Sequence, residues 1–163
     1  MTALLWVLIG ITVVVVLGGL FLVATANRLD RLHVRTDAGW AALDASLARR
    51  AVVARAVAVV LGAPSGDELR VHGERAESAS RQDREAEENE LTLLLAEVDR
   101  VRLPAPLSEE LTDAEHRVVI ARRVHNDAVR DTLALRRRRK VRYFKLAGTA
   151  PLPEYFEIAE PAL

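Results

Sequence analysis

The chain opens with a long run of apolar residues and then changes to a helical repeat of apolar and charged positions. From Met1 to Asn27 no side chain is charged, and residues 3–26, ALLWVLIGITVVVVLGGLFLVATA, would extend roughly 36 Å as an α-helix. Because a bilayer's hydrocarbon core is about 30 Å thick, this run predicts a transmembrane anchor over residues 1–27. A cleaved secretory signal is the alternative, since ATA at 24–26 resembles a cleavage site. The uncharged start and the length of the run favour a retained anchor.

The apolar stripe after the anchor predicts one long helix that continues out of the membrane as the first arm of a bundle. Apolar residues recur every three or four positions, and most charged residues fall off this stripe. The stripe consists of Leu29, Leu32, Thr36, Trp40, Leu43, Leu47, Ala51, Ala54, Ala58 and Leu61. The segment GAPSG at 62–66 then ends the helix. Trp40 lies on the stripe, so we expect it in the core.

Two further arms follow. The second covers about 67–102, and SAS at 78–80 is a weak break that could divide it into two helices. Pro104 and Pro106 separate it from the third arm, which reaches 135–139. Arms of similar length joined by short turns predict antiparallel neighbours. The predicted class is all-α: a transmembrane helix that continues into an elongated, antiparallel, up-and-down bundle of three long arms.

The predicted organisation is therefore an anchor at 1–27, a helical bundle at 28–139 and an irregular C-terminal tail at 140–163. Arg28, Arg31 and Arg35 follow the apolar run, whereas no charged side chain precedes it. The positive-inside rule then predicts a single-pass protein of the cell membrane, with the N-terminus outside and the bundle in the cytoplasm.

The amino-acid composition excludes some kinds of site and shows where charge is concentrated. The chain has no cysteine, which excludes disulfides, thiolate metal ligands and a thiol nucleophile. The net charge is zero but unevenly spread: residues 67–90 carry nine acidic and four basic side chains, and residues 136–142, RRRRKVR, carry six positive charges.

Two stretches resemble the LemA family of bacterial membrane-anchored helical proteins. WAALDASLARR at 40–50 is similar to the family's first helix, and LTDAEHRVVIARRVHNDAV at 111–129 is similar to its last. The matching residues include Trp40, Asp44, Arg49, Arg50, Glu115, Arg117, Arg122 and Asn126. The end, PLPEYFE, is also similar. His125 stands where the family usually has tyrosine, and RRRRKVR replaces a proline-containing connection, so the chain resembles a divergent member. The resemblance implies no catalytic residue and no cofactor.

The signature residues predict a polar network between helices. With heights along the arms counted at about 1.5 Å per residue, Asp44 could meet Arg122 or Asn126. Such a network would fix the register of the first and third arms, which are parallel in an up-down-up order.

The basic cluster Arg136, Arg137, Arg138, Arg139 and Lys140 has two interpretations. In the three-arm order the third arm ends about 45 Å from the lipid, and a Debye length of about 8 Å then excludes attraction to headgroups. The cluster either stabilises the negative end of its helix and pairs with the acidic arm, or binds an acidic partner or a nucleic acid.

Two catalytic interpretations are weaker. Asp30 with His33 and Asp113 with His116 have the i, i+3 spacing of bundle metal sites, with Glu97 and Asp99 as further ligands, but the abundant arginines repel cations. REAEEN at 84–89 superficially resembles the acidic Nudix helix but lacks its glycine spacing, so we interpret it as a solvated helix face.

The sequence therefore predicts a membrane-anchored helical scaffold or adaptor that binds an unidentified protein and has no enzymatic activity, metal or cofactor. Self-association stays open. Binding of nucleic acid or an acidic partner through the basic cluster is the first alternative, and a metal-binding enzyme is the second.

Overall fold

The computed structural model describes residues 2–159, and within that range the chain is helical and contains no strand. The elements are α1 (Thr2–Leu61), α2 (Ser65–Ser78), α3 (Arg84–Ala96), a short 3-10 segment (Arg100–Arg102), α4 (Ala105–Arg136) and α5 (Arg139–Tyr143). The predicted all-α class is confirmed. Met1 of the predicted anchor and 160–163 of the predicted tail lie outside the described residues.

Helix α1 is a single element, as the continuous pattern predicts. Its residues from Thr2 to Phe21 are all exposed, and the apolar stripe from Leu29 to Ala58 then becomes buried at helical spacing. Gly62, with φ of 68°, ends the helix in the left-handed conformation that glycine adopts without steric cost. By length and composition α1 could cross a membrane.

The predicted second arm is two helices rather than one. Ala79 adopts an extended conformation with ψ of 142°, and Ser80 Oγ donates to Asp83 Oδ2 at 2.6 Å in the turn. The chain reverses there, and α2 packs against α3. The break at 78–80 is therefore a full turn between two antiparallel helices.

This additional reversal changes the direction of the last long helix. The prediction that the first and third arms are parallel is wrong, because α4 runs antiparallel to α1. Thr36 Oγ1 lies 3.0 Å from Thr132 Oγ1, and His33 Nε2 lies 3.3 Å from Arg136 Nη1. In these two contacts, the residue with the lower number on α1 meets the residue with the higher number on α4.

Two compact units divide the described chain. The first consists of 2–36 and Ala128–Pro153, and its core contains Leu29, Leu135 and Val141. The second consists of Asp37–Asp127 and 154–159. It has a larger core around Val57, Leu91, Leu95 and Leu111, and a smaller core around Leu43 and Leu47.

The smaller core includes two residues of the predicted tail. Phe156 and Ile158 are buried beside Leu43, Leu47 and Val118. The segment 154–159 has no regular secondary structure, and it packs as part of the second unit. The helix α5 is a short regular element within the predicted irregular tail.

Candidate functional site

A buried ion cluster in the second unit contains Arg50, the buried member of the signature pair Arg49 and Arg50. Arg50 on α1 and Glu88 on α3 have no exposed side-chain surface, and Arg50 Nη2 lies 2.7 Å from Glu88 Oε2. Arg50 Nη1 donates to the Thr92 hydroxyl at 3.0 Å. A buried guanidinium needs such a paired acceptor, because an unpaired charge in a low dielectric is costly. The cluster therefore joins α1 to α3.

Arg84 extends this cluster to the surface. Its Nε lies 3.2 Å from Glu88 Oε1, and its Nη2 lies 2.9 Å from Asp44 Oδ1, whose side chain is half exposed. Asp44 is thus paired with Arg84 on α3, which corrects the expected pairing of Asp44 with Arg122 or Asn126. The acidic helix face at 84–89 is also not wholly solvated, because Arg84 and Glu88 point inward.

The remaining signature charges make separate pairs. Glu115 is buried and accepts from Arg100 Nη2 at 2.9 and 2.7 Å through its two oxygens. Arg49 is exposed and lies 2.6 Å from Glu110. The first pair holds the 3-10 segment against α4, and the second joins α1 to α4 at the surface.

Asn126 and Trp40 hold the C-terminal segment of the second unit. The Asn126 amide accepts from Phe156 N at 2.9 Å and donates to Phe156 O at 3.0 Å. Trp40 is half-buried, with edge-to-face contacts to His125 at 5.7 Å and to Phe156 at 5.6 Å between ring centroids. Arg122 lies 3.6 Å from Glu157 in the same segment. These residues act together in packing Phe156 and Glu157 against the helices.

The expected metal pairs are not assembled into one site. Asp113 accepts from Arg117 at 2.8 Å, and His33 lies beside Arg136. His33 belongs to the first unit and His116 to the second. Between residues 2 and 159, no group of three or more His, Asp or Glu side chains is placed to hold a metal ion.

The basic cluster lies in the first unit beside the apolar part of α1, which corrects the expectation that it lies at the far end of the bundle from this run. Lys140 Nζ lies 4.6 Å from the ring centroid of Phe21, and Leu135 packs in one core with Leu29. The antiparallel direction of α4 explains this placement, because α4 ends beside the first part of α1. Within the acidic arm, Glu74, Glu77 and Glu88 form ion pairs with arginines of the second unit.

A cavity of about 370 Å³ lies within this cluster, and we refer to it as the basic pocket. Four cationic residues line it: Arg28, Arg138, Arg139 and Lys140. Its apolar lining includes Phe21 and Leu135, and none of its lining residues is acidic. The pocket thus combines four cationic side chains with an apolar wall. Asp131, which pairs with Arg35, lines a neighbouring cavity together with Arg28 and Arg138.

The other cluster residues have different environments. Arg136 Nη1 and Nη2 donate to the carbonyls of Pro151 and Ala150 at 2.7 and 2.8 Å, so this residue ties down the chain after α5. Arg137, Arg142 and Lys145 line a second cavity of about 510 Å³.

No family model, curated protein or solved structure matches the chain. The LemA resemblance therefore remains a prediction that depends on the residues quoted for it.

Several residues that form these sites were missed from the sequence. Glu88 could have been found, because it lies three residues before Leu91 and seven before Leu95, on the buried face of α3. Gly39 is a second residue that the sequence analysis does not single out. It lies so close to α4 that a Cβ on it would be 3.2 Å from His125 Cα. Arg28 was recognised only as an orientation signal, because nothing local connects it to Arg138.

Proposed function

We propose that this protein is a single-pass, LemA-like membrane protein whose helical bundle serves as an adaptor for other proteins on the cytoplasmic side. The observation that carries the proposal is the division of α1. Its apolar first part is exposed to the surroundings, and its later part is buried at helical spacing. About 20 exposed apolar residues in one helix are costly in water and favourable in a bilayer.

The charge that flanks this apolar part supports the proposed orientation. Arg28 and Arg31 are exposed and follow the apolar run directly, and the basic cluster lies beside them in the first unit. Tertiary structure thus adds to the positive charge at this end of the run, which favours the cytoplasmic side.

The absence of cysteine makes a direct test of topology simple. Single cysteines would be introduced at Thr2, Val14 and Ala86, and intact and lysed spheroplasts would be treated with a membrane-impermeant maleimide. We expect Thr2→Cys to react in intact spheroplasts and Ala86→Cys only after lysis. Val14→Cys, at mid-run, is the control that should react in neither.

Two results would contradict the anchor. One is a mature chain that begins near residue 27 and is recovered in a soluble fraction. The other is rapid labelling of Val14→Cys. Labelling of Ala86→Cys in intact spheroplasts would reverse the orientation and leave the anchor in place.

Exposed apolar residues on α4 support the adaptor role. Ile120 and Val124 are 62% and 49% exposed, and their i, i+4 spacing puts them on one face. A photoreactive amino acid at position 120 should crosslink to a discrete protein in native membranes, and the same group at the exposed position 90 on α3 should not. Equal crosslinking at both positions would contradict a specific contact.

A further inference from the structure

We propose that the basic pocket binds the phosphate headgroup of an anionic phospholipid in the membrane that α1 crosses. The inference rests on the proposed membrane insertion and adds a ligand class to it. It also reverses the expectation that the cluster is too far from lipid, because the folded chain brings Arg138, Arg139 and Lys140 beside Phe21 and Arg28.

The charge of the pocket selects an anion. Among the described residues, Arg28, Arg138 and Arg139 have no ion-pair partner, and no carboxylate lines the pocket. Guanidinium groups bind phosphate through several donors at once, so converging arginines favour phosphate over a single-point anion. A volume of about 370 Å³ is within the range of small-molecule sites.

The apolar wall selects a lipid over a free anion. Phe21 is 51% exposed, and Leu20 and Val23 beside it on α1 are exposed as well. The pocket therefore adjoins the apolar surface that would face the acyl chains. Inorganic phosphate or a polynucleotide would contact only the cationic side of the pocket, whereas a phospholipid offers a phosphate to that side and acyl chains to the apolar wall.

Lys140 has the geometry of an interfacial cation. Its ammonium lies over the face of Phe21, at 4.6 Å from the ring centroid, where the ring quadrupole attracts it. Lysine side chains at a membrane boundary lay their aliphatic stems along apolar surface and direct the charge to the headgroups. Anionic lipids of the cytoplasmic leaflet attract such clusters strongly.

The test uses the full chain in vesicles of phosphatidylcholine, with spin-labelled phosphatidylglycerol or spin-labelled phosphatidylcholine as the probe. Flotation after an alkaline wash first reports insertion. The fraction of motionally restricted spin label then reports the relative association of the two lipids. We expect the wild-type chain to favour phosphatidylglycerol, and R138Q/R139Q/K140Q to lose about fivefold in relative association per cation removed.

The matched control is R70Q/R75Q/R102Q, which removes three exposed cations from the second unit and should keep the preference. All three replaced pocket residues are exposed, so the variant should fold, and circular dichroism would verify this.

The outcomes separate the two proposals. A wild-type chain that fails to float contradicts the membrane proposal itself. A chain that floats but does not distinguish the two lipids contradicts the headgroup site alone. Displacement of the labelled lipid by free glycerol phosphate, or binding of an oligonucleotide that only the pocket variant abolishes, would assign the pocket to those anions and overturn the inference.

Discussion

Arg50 on α1 and Glu88 on α3 form an ion pair of 2.7 Å between Nη2 and Oε2, and neither side chain has any exposed surface. Arg84 adds a second buried cation to the same carboxylate. Glu88 is thus the shared counter-charge of two arginines. Its loss would leave the buried Arg50 without a carboxylate partner, whereas Arg84 would keep Asp44.

Replacing Glu88 by alanine should therefore lower the free energy of unfolding by about 3–5 kcal/mol, the cost of leaving a buried charge unpaired. Chemical unfolding of the full chain in detergent, monitored by circular dichroism, measures this free energy. Glu90→Ala, an exposed change on the same helix, should stay within about 0.5 kcal/mol of wild type. Equal stability of the two variants would show that the cluster contributes nothing.

Two glycines of α2 should respond oppositely to alanine. A Cβ on Gly66 would lie 2.2 Å from the backbone oxygen of Ala58, so the helices must move apart. We expect Gly66→Ala to destabilise by about 1–3 kcal/mol, as overpacking does. At Gly73 the nearest atom, Arg55 Cγ, would be 3.5 Å away, an ordinary contact.

Gly73→Ala should therefore stabilise the chain by about 0.5–1 kcal/mol through helix propensity alone. Thermal melting of the two variants side by side provides the comparison. A Gly66→Ala variant that melts at or above the wild-type temperature would contradict the close approach of α2 to α1 at Ala58.

The segment at 154–158 should contribute to the stability of the second unit. Phe156 is 3% exposed and packs on Trp40, so Phe156→Ala should cost about 3–5 kcal/mol. Tyr155→Ala, at a half-exposed neighbour, is the control and should cost much less. In a Trp6→Phe background the remaining fluorescence reports Trp40, and it should shift to the red only in the Phe156 variant.

The stability of the second unit should depend on the hydrogen bond that the Asn126 side-chain amide donates. Its amide makes one hydrogen bond in each direction with the Phe156 backbone. Asn126→Asp keeps an acceptor for Phe156 N but cannot donate to Phe156 O when it is ionised, so the chain should lose about 1–3 kcal/mol. Amide hydrogen exchange at Phe156 should stay slower in Asn126→Asp than in Asn126→Ala. Equal exchange in the two variants would mean that the Phe156 amide does not depend on the acceptor.

Much of the helical architecture could be predicted, because the local pattern decides it. The end of α1 at Leu61 and the weak break at 78–80 both follow from residues close to them in the chain. The residues around Ala79 predict only an optional break, since nothing local shows whether a bend becomes a reversal. That reversal determines the direction of α4, and the partners of Asp44 and Lys140 depend on it.

The sequence by itself determined the helices and the apolar run, because helical hydrogen bonds and amphipathic spacing act within a few residues. Only the tertiary structure decided which charges meet. Arg138 and Arg28 are separated by more than a hundred positions, and they line one pocket because α4 returns along α1. Ion pairing depends on distance in space, and residue spacing along the chain carries no record of that distance until the turns are known.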